Sequence, residues 1–150
     1  MHSLFNQTDV SVILKRIESL DANTQRKWGK MSVAQMLAHT NISLETAMGM
    51  NTVKPVFFIG RMIGSMLKPV ALSEKPFGKN SPTAKNYIFN TDLNLEEERS
   101  KLKTSVQNFF DGGPSKVTKQ PHPFFGNFTP EQWAVFQWKH LDHHLRQFGV

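Results

Sequence analysis

The chain has 150 residues, of which 39% are hydrophobic, and its 18 Lys and Arg against 12 Asp and Glu give a formal net charge of +6. This balance is typical of a globular protein, and we expect a single domain over residues 1–150. The chain has no cysteine, which excludes disulfides, thiolate-bound zinc, iron–sulfur clusters and a cysteine nucleophile. Any metal ion must therefore be held by His, Asp or Glu, and any thiol must come from another molecule.

The distribution of charge argues against a membrane span and against nucleic-acid binding. The most apolar stretch, Val53 to Leu72, is interrupted by Lys54, Arg61 and Lys68, so it falls short of the uncharged length that a span needs. Basic residues are spread along the chain rather than clustered, and no nucleic-acid motif is present. Since the N-terminus lacks the features of a signal peptide, we expect a cytoplasmic protein.

The first half of the chain predicts three helices. Apolar spacing indicates the first from near Thr8 to Leu20. The second begins at Ser32, which stands in capping-box spacing with Gln35, and stops near Gly49. The third is the apolar stretch itself, which we interpret as a largely buried helix starting near Pro55.

The second half predicts two more helices, separated from the first three by a long connection. Residues 72–91 read as an irregular loop, and a loop of this length often forms a lid or a pocket wall. The fourth helix starts at Asp92 or Asn94, with Glu97 completing a capping box, and ends at Gly112 and Gly113.

The last helix has the clearest start and end signals. Thr129 is the cap, Pro130 takes the first turn, Gln132 completes a capping box and Gly149 closes the far end. No strand alternation appears in the chain. The predicted class is therefore all-α, with about four long helices packed as a bundle, an additional short helix and long irregular loops.

A histidine cluster on this last helix is the strongest chemical signal. Three of the six histidines, His140, His143 and His144, fall within five residues in HLDHHLRQFG. Residues four apart share a helix face, so His140 and His144 have the spacing by which two histidines of an HExxH helix bind one zinc ion. A third ligand must come from a facing helix, and His39 is the histidine placed inside another predicted helix. The alternative is that His39 is a hydrogen-bonded core residue and the cluster a solvated face.

Two further histidines are candidates for moving protons. His122 lies between two prolines in QPHPFFGNF, which would fix it at a pocket edge as an acid or base. The alternative is a packed loop whose imidazole caps a backbone carbonyl. His143 is read as a surface residue or as a neighbour of the ligands. Gln35, four residues before His39, and Gln137, close to His140 and two turns before His144, are candidate hydrogen-bond partners for these histidines. The alternatives are a capping role for Gln35 and a plain polar position for Gln137.

Three segments carry a resemblance to a known family. WGKMSVAQMLAHT, HPFFG and WKHLDHHLRQFG resemble the DinB-like metalloenzyme superfamily, and most closely one of its branches of unknown function. In that superfamily a Trp precedes a helix with one His, and the last helix carries HxxxH. Trp28, His39, His140 and His144 match this pattern, and the resemblance covers nearly the whole chain.

The resemblance implies an up-and-down four-helix bundle and a divalent ion, often nickel or zinc, held by His39, His140 and His144. Similar proteins include transferases and isomerases that use a low-molecular-weight thiol. We therefore expect a metal-dependent transferase or hydrolase that acts on a small electrophilic molecule, with His122 or His143 in proton transfer. The alternative is a non-catalytic metal- or ligand-binding helical module. The resemblance also implies a homodimer, for which Gly60 and Gly64 would permit close contact.

Overall fold

The computed structural model describes residues 1–51, 58–81, 83 and 85–150. It has five α-helices and two short 3-10 helices, at Lys85–Tyr87 and Gly113–Lys116. In this part of the chain the only strand-like pairing is a single antiparallel bridge between His122 and Gly126. The α-helices are α1 (Gln7–Glu18), α2 (Val33–Ala47), α3 (Phe58–Ala71), α4 (Leu95–Gly112) and α5 (Pro130–Gln147).

Side-chain caps explain where the helices start. Ser32 and Thr129 each form the full reciprocal capping box that the sequence predicts. Asn94 accepts a hydrogen bond from the Glu97 backbone N–H at 3.0 Å, although the reciprocal bond of a full box is not formed. The predicted start of the third helix, at Pro55, lies outside the described residues.

Four of the helices make the bundle that the sequence predicts. Helices α1 and α2 each pack against both α4 and α5, and each contributes an apolar face to one core. The all-α bundle is thereby confirmed. The largest fully buried side chains include Leu4, Ile13, Ile17, Leu37, Leu44, Leu102, Phe109, Trp133 and Leu141.

Helix α3 lies outside this core, and the prediction that it is largely buried is wrong. Gly64 faces the HPFFG segment so closely that a Cβ atom there would overlap the Phe124 carbonyl. Five large apolar side chains of α3 are exposed: Met62, Ile63, Met66, Leu67 and Val70. Gly64 and Lys68 both contact the HPFFG segment or the residues after it, so the high apolar content of α3 does not mean that the helix is buried. Among the described residues, no helix combines the length and the hydropathy of a membrane span.

Candidate metal centre

Helices α2 and α5 bring His39, His140 and His144 together. Each of the three offers one ring nitrogen, and these nitrogens lie within 4.8 Å of one another. The Nε2 atoms of His39 and His140 are 3.1 Å apart. His39 and His144 are only 5% and 8% exposed, while His140 is partly exposed. The three residues that the sequence singles out therefore form one compact group.

The long loop after α3 holds the His39 ring. Its Nδ1 lies 3.0 Å from the backbone carbonyl of Tyr87, in the short 3-10 helix of residues 85–87. Because a carbonyl only accepts hydrogen bonds, Nδ1 carries the proton and donates it. The lone pair is therefore on Nε2, which faces the other two histidines. The loop expected to form a lid or wall thus contributes to this group through a backbone atom.

A second carbonyl fixes the His144 ring through the side chain of Gln147. The Gln147 Nε2 donates to the Trp28 carbonyl at 2.8 Å, which orients the amide. Its Oε1 then accepts from the His144 Nδ1 at 2.8 Å, so the His144 lone pair is on Nε2. Gly29 has φ +79° and lies against the Gln147 amide, where a Cβ atom would overlap it. The segment before α2 therefore sets the orientation of a histidine on α5.

His140 differs from the other two because its Nδ1 is buried with no hydrogen-bond partner in the described structure. Its Nε2 faces the Nε2 of His39, whose lone pair points towards it. A cation between these nitrogens would satisfy both. Two nitrogen ligands at ~2.0–2.1 Å from a tetrahedral zinc lie ~3.3 Å apart, close to the observed 3.1 Å. The donor set, three imidazoles, suits zinc, nickel, iron or copper.

Burial keeps the three imidazoles neutral. It lowers the pKa of His39, and it lowers the pKa of His140 well below its ordinary value, with the neighbouring histidines acting in the same direction. The pKa of His144 falls to about 3, again chiefly because of burial. Neutral imidazoles are the form that binds metals. The group therefore has its lone pairs available at neutral pH.

His143 stands beside this group and does not belong to it. Its ring lies 5.1 Å from that of His144 and faces Trp28 and Phe77 at 5.6 and 5.8 Å between ring centroids. The side chain is half-buried and lines a cleft of about 480 Å³. A role in proton transfer remains a prediction, and its position in the cleft wall is compatible with one.

His122 organises the HPFFG segment. Its Nδ1 accepts hydrogen bonds from the backbone N–H groups of Phe124 and Phe125, both at 3.1 Å. Its ring packs against Phe128 and Trp133 at about 5 Å, and burial lowers its pKa to about 3. These contacts favour the alternative of a packed loop, with the imidazole capping backbone N–H groups rather than a carbonyl. A catalytic role for His122 stays a prediction.

The two glutamines considered as histidine partners form hydrogen bonds with other groups. Gln35 forms the capping box of α2 and donates to the Thr91 carbonyl. Gln137 is fully buried and bonds the hydroxyl and carbonyl of Ser43 at 3.1 and 3.0 Å. The capping role of Gln35, which the sequence favours, is confirmed, and in the described structure neither glutamine takes the partner role. Gln147 takes it for His144, at a spacing of three residues on the same helix.

The fold and the site together define an all-α bundle with a buried three-histidine group able to hold a metal ion. The chain belongs to the family described as protein of unknown function DUF1569, whose model matches residues 3–149. Comparison with the curated proteins gave no match, and neither did comparison with the solved structures.

Proposed function

We propose that this protein binds one divalent metal ion through His39, His140 and His144 and is a metal-dependent enzyme of the DinB-like superfamily. One observation carries the proposal. Three neutral ring nitrogens lie within 4.8 Å of one another, and two of the rings are held by hydrogen bonds at their far nitrogens. Such bonds orient ligating histidines and raise their basicity. Nickel or zinc suits this donor set.

The reaction class follows from the number and charge of the ligands. An ion with three neutral imidazole ligands keeps open positions and lowers the pKa of a bound water or thiol towards neutrality. Since the chain has no cysteine, a thiol nucleophile would come from a low-molecular-weight cosubstrate. We propose transfer of such a thiol, or of water, to a small electrophilic molecule. We propose that His143, which lines the adjacent cleft, exchanges a proton with a ligand bound there.

Metal analysis tests the ligand assignment. Protein purified without a nickel column should contain about one zinc or nickel ion per chain. His140→Ala and His144→Ala should each lower this occupancy strongly, because two ligands bind an ion weakly. His143→Ala is the matched control, since it removes an imidazole from the same helix turn and should leave occupancy unchanged. Full occupancy in the His140→Ala/His144→Ala double variant would refute the assignment.

A non-catalytic role for the same ion is the second candidate. It is favoured by the low exposure of His39 and His144, 5% and 8%, because closed sites are typical of structural metals. A screen of thiols and water against electrophiles such as epoxides, with several metals, separates the two. Turnover that disappears in His144→Ala supports the enzyme. No turnover with any combination supports the module.

A further inference from the structure

The cleft beside His143 lies against α5 and the segments that flank the three-histidine group. It has a volume of about 480 Å³. Trp28 contributes to its wall by its ring, and the same residue receives the hydrogen bond of Gln147 at its carbonyl. The residues that line it are Lys27, Trp28, Pro76, Phe77, Lys79, Lys139, Asp142, His143, Arg146, Gly149 and Val150.

The side chains of this cleft are strongly biased towards positive charge. The cations are Lys27, Lys79, Lys139 and Arg146, and the anions are the Asp142 side chain and the α-carboxylate of Val150, so four positive and two negative charges leave +2. Asp142 forms ion pairs with Arg16, which lies outside the cleft lining, at 2.8 Å and with Arg146 at 3.7 Å. A concave surface with one sign of charge concentrates the field and attracts ions of the other sign.

Aromatic rings hold two of these cations in place. The Lys79 Nζ lies 4.7 Å from the centre of the Trp28 ring, and the Lys139 Nζ lies 4.5 Å from the centre of the Phe77 ring. The Lys139 ammonium also donates to the carbonyls of residues 70, 71 and 73. It therefore adds charge to the cleft without a free donor, and Lys27, Lys79 and Arg146 supply the donors.

We infer that this cleft binds a small organic anion, with its carboxylate or phosphate group among Lys27, Lys79 and Arg146. The apolar part of the ligand lies against Pro76 and Phe77, which supply uncharged wall. His143 forms the side of the cleft next to His144, so the ligand is held beside the three-histidine group. That this anion is the substrate rests on the proposed function, whereas its binding does not require the metal.

Titration with simple aromatic anions tests the inference. Backbone amide NMR shifts of the protein as purified are followed with benzoate, phenyl phosphate and uncharged benzamide. Both anions should give saturable shifts at Lys27, Trp28 and Lys79, with benzamide at least about tenfold weaker. Lys27→Gln/Lys79→Gln should weaken benzoate about tenfold, and both side chains are exposed, so folding is preserved. Lys119→Gln, at an exposed position away from the cleft, should bind as the wild type does.

The results separate this inference from the proposed function. Equal binding of benzamide and benzoate, unsaturable shifts, or an unaffected double variant would each overturn the anion site. Metal content measured on the same preparations reports on the centre alone. Loss of anion binding with about one ion per chain retained overturns the inference and leaves the proposed function standing. Saturable anion binding by protein that takes up no ion supports the anion site and overturns the proposed function.

Discussion

At the scale of single residues, Gln147 is the residue that decides how His144 presents its nitrogen. Its amide is held at one end by the Trp28 carbonyl and at the other by the His144 ring. Without it, the imidazole is free to rotate or to carry its proton on the nitrogen that faces the centre. Partners of this kind are worth 10–100-fold in metal affinity in known sites.

We therefore expect Gln147→Leu to weaken zinc binding by about 10–100-fold. Gly29→Ala should act in the same direction, because its Cβ atom would displace the Gln147 amide and its φ of +79° disfavours a side chain. Gly78→Ala is the control, since a Cβ atom there would be in ordinary contact with Ser81. Competition with a chromophoric chelator measures the affinities. Wild-type affinity in Gln147→Leu would show that the hydrogen bond does not position the ligand.

The sequence predicts the three histidines but not the groups that orient them. Four-residue spacing on a capped helix selects His140 and His144, and a single mid-helix position selects His39. The partner of His39 is a backbone carbonyl at Tyr87, 48 residues away. Every residue carries such a carbonyl, so no pattern marks this one. Gln147 was open to prediction, since it follows His144 by one helical turn.

At the scale of helices and loops, the sequence predicts the helix starts, which depend on neighbouring residues, but not the packing between distant segments. Ser32, Asn94 and Thr129 start their helices as predicted because capping involves residues three apart. Burial of α3 depends instead on which surface meets the rest of the chain. Gly64 fits against the Phe124 carbonyl, and this choice leaves the larger side chains exposed.

The HPFFG segment that supports α3 should be sensitive to pH through His122. Its pKa is about 3 in the folded protein, against an ordinary value of 6.5. Between these values the unfolded chain takes up a proton that the folded chain does not. The free energy of unfolding should therefore be fully retained above about pH 6.5 and decrease by up to ~1.4 kcal/mol per pH unit below it.

Urea unfolding of metal-free wild type and His122→Asn, at pH 7.5, 6.0 and 5.0, checks this expectation. The asparagine oxygen can still accept from the Phe124 and Phe125 N–H groups but cannot titrate. The variant should therefore lose less stability on acidification than the wild type. The other buried histidines titrate in both proteins, so the difference in slope isolates His122. Parallel pH profiles would contradict the assigned role.

At the scale of the whole molecule, the exposed apolar side of α3 stands out. Met62, Met66 and Val70 are each more than half exposed on one helix, and contiguous apolar surface of this kind marks contact sites. Gly64 is already used within the chain, so we expect a homodimer to use the larger side chains rather than a glycine pair.

Size-exclusion chromatography with light scattering tests this expectation. The wild type should have the mass of a dimer, and Met66→Glu should be monomeric, because a charge would be buried in the contact. Val12→Glu is the matched control, since it also places a carboxylate at an exposed apolar helix position and should remain dimeric. A monomeric wild type at high concentration would show that α3 does not form a contact between two copies of the chain.

The separation of the histidines along the chain has a consequence during synthesis. His39 belongs to the second helix, whereas His140 and His144 belong to the fifth. A ribosome must synthesise and release residues 39–144 before these rings can meet. An ion that binds this group would therefore be captured late, by chains whose bundle has closed, because a nascent or misfolded chain would not hold these three imidazoles together.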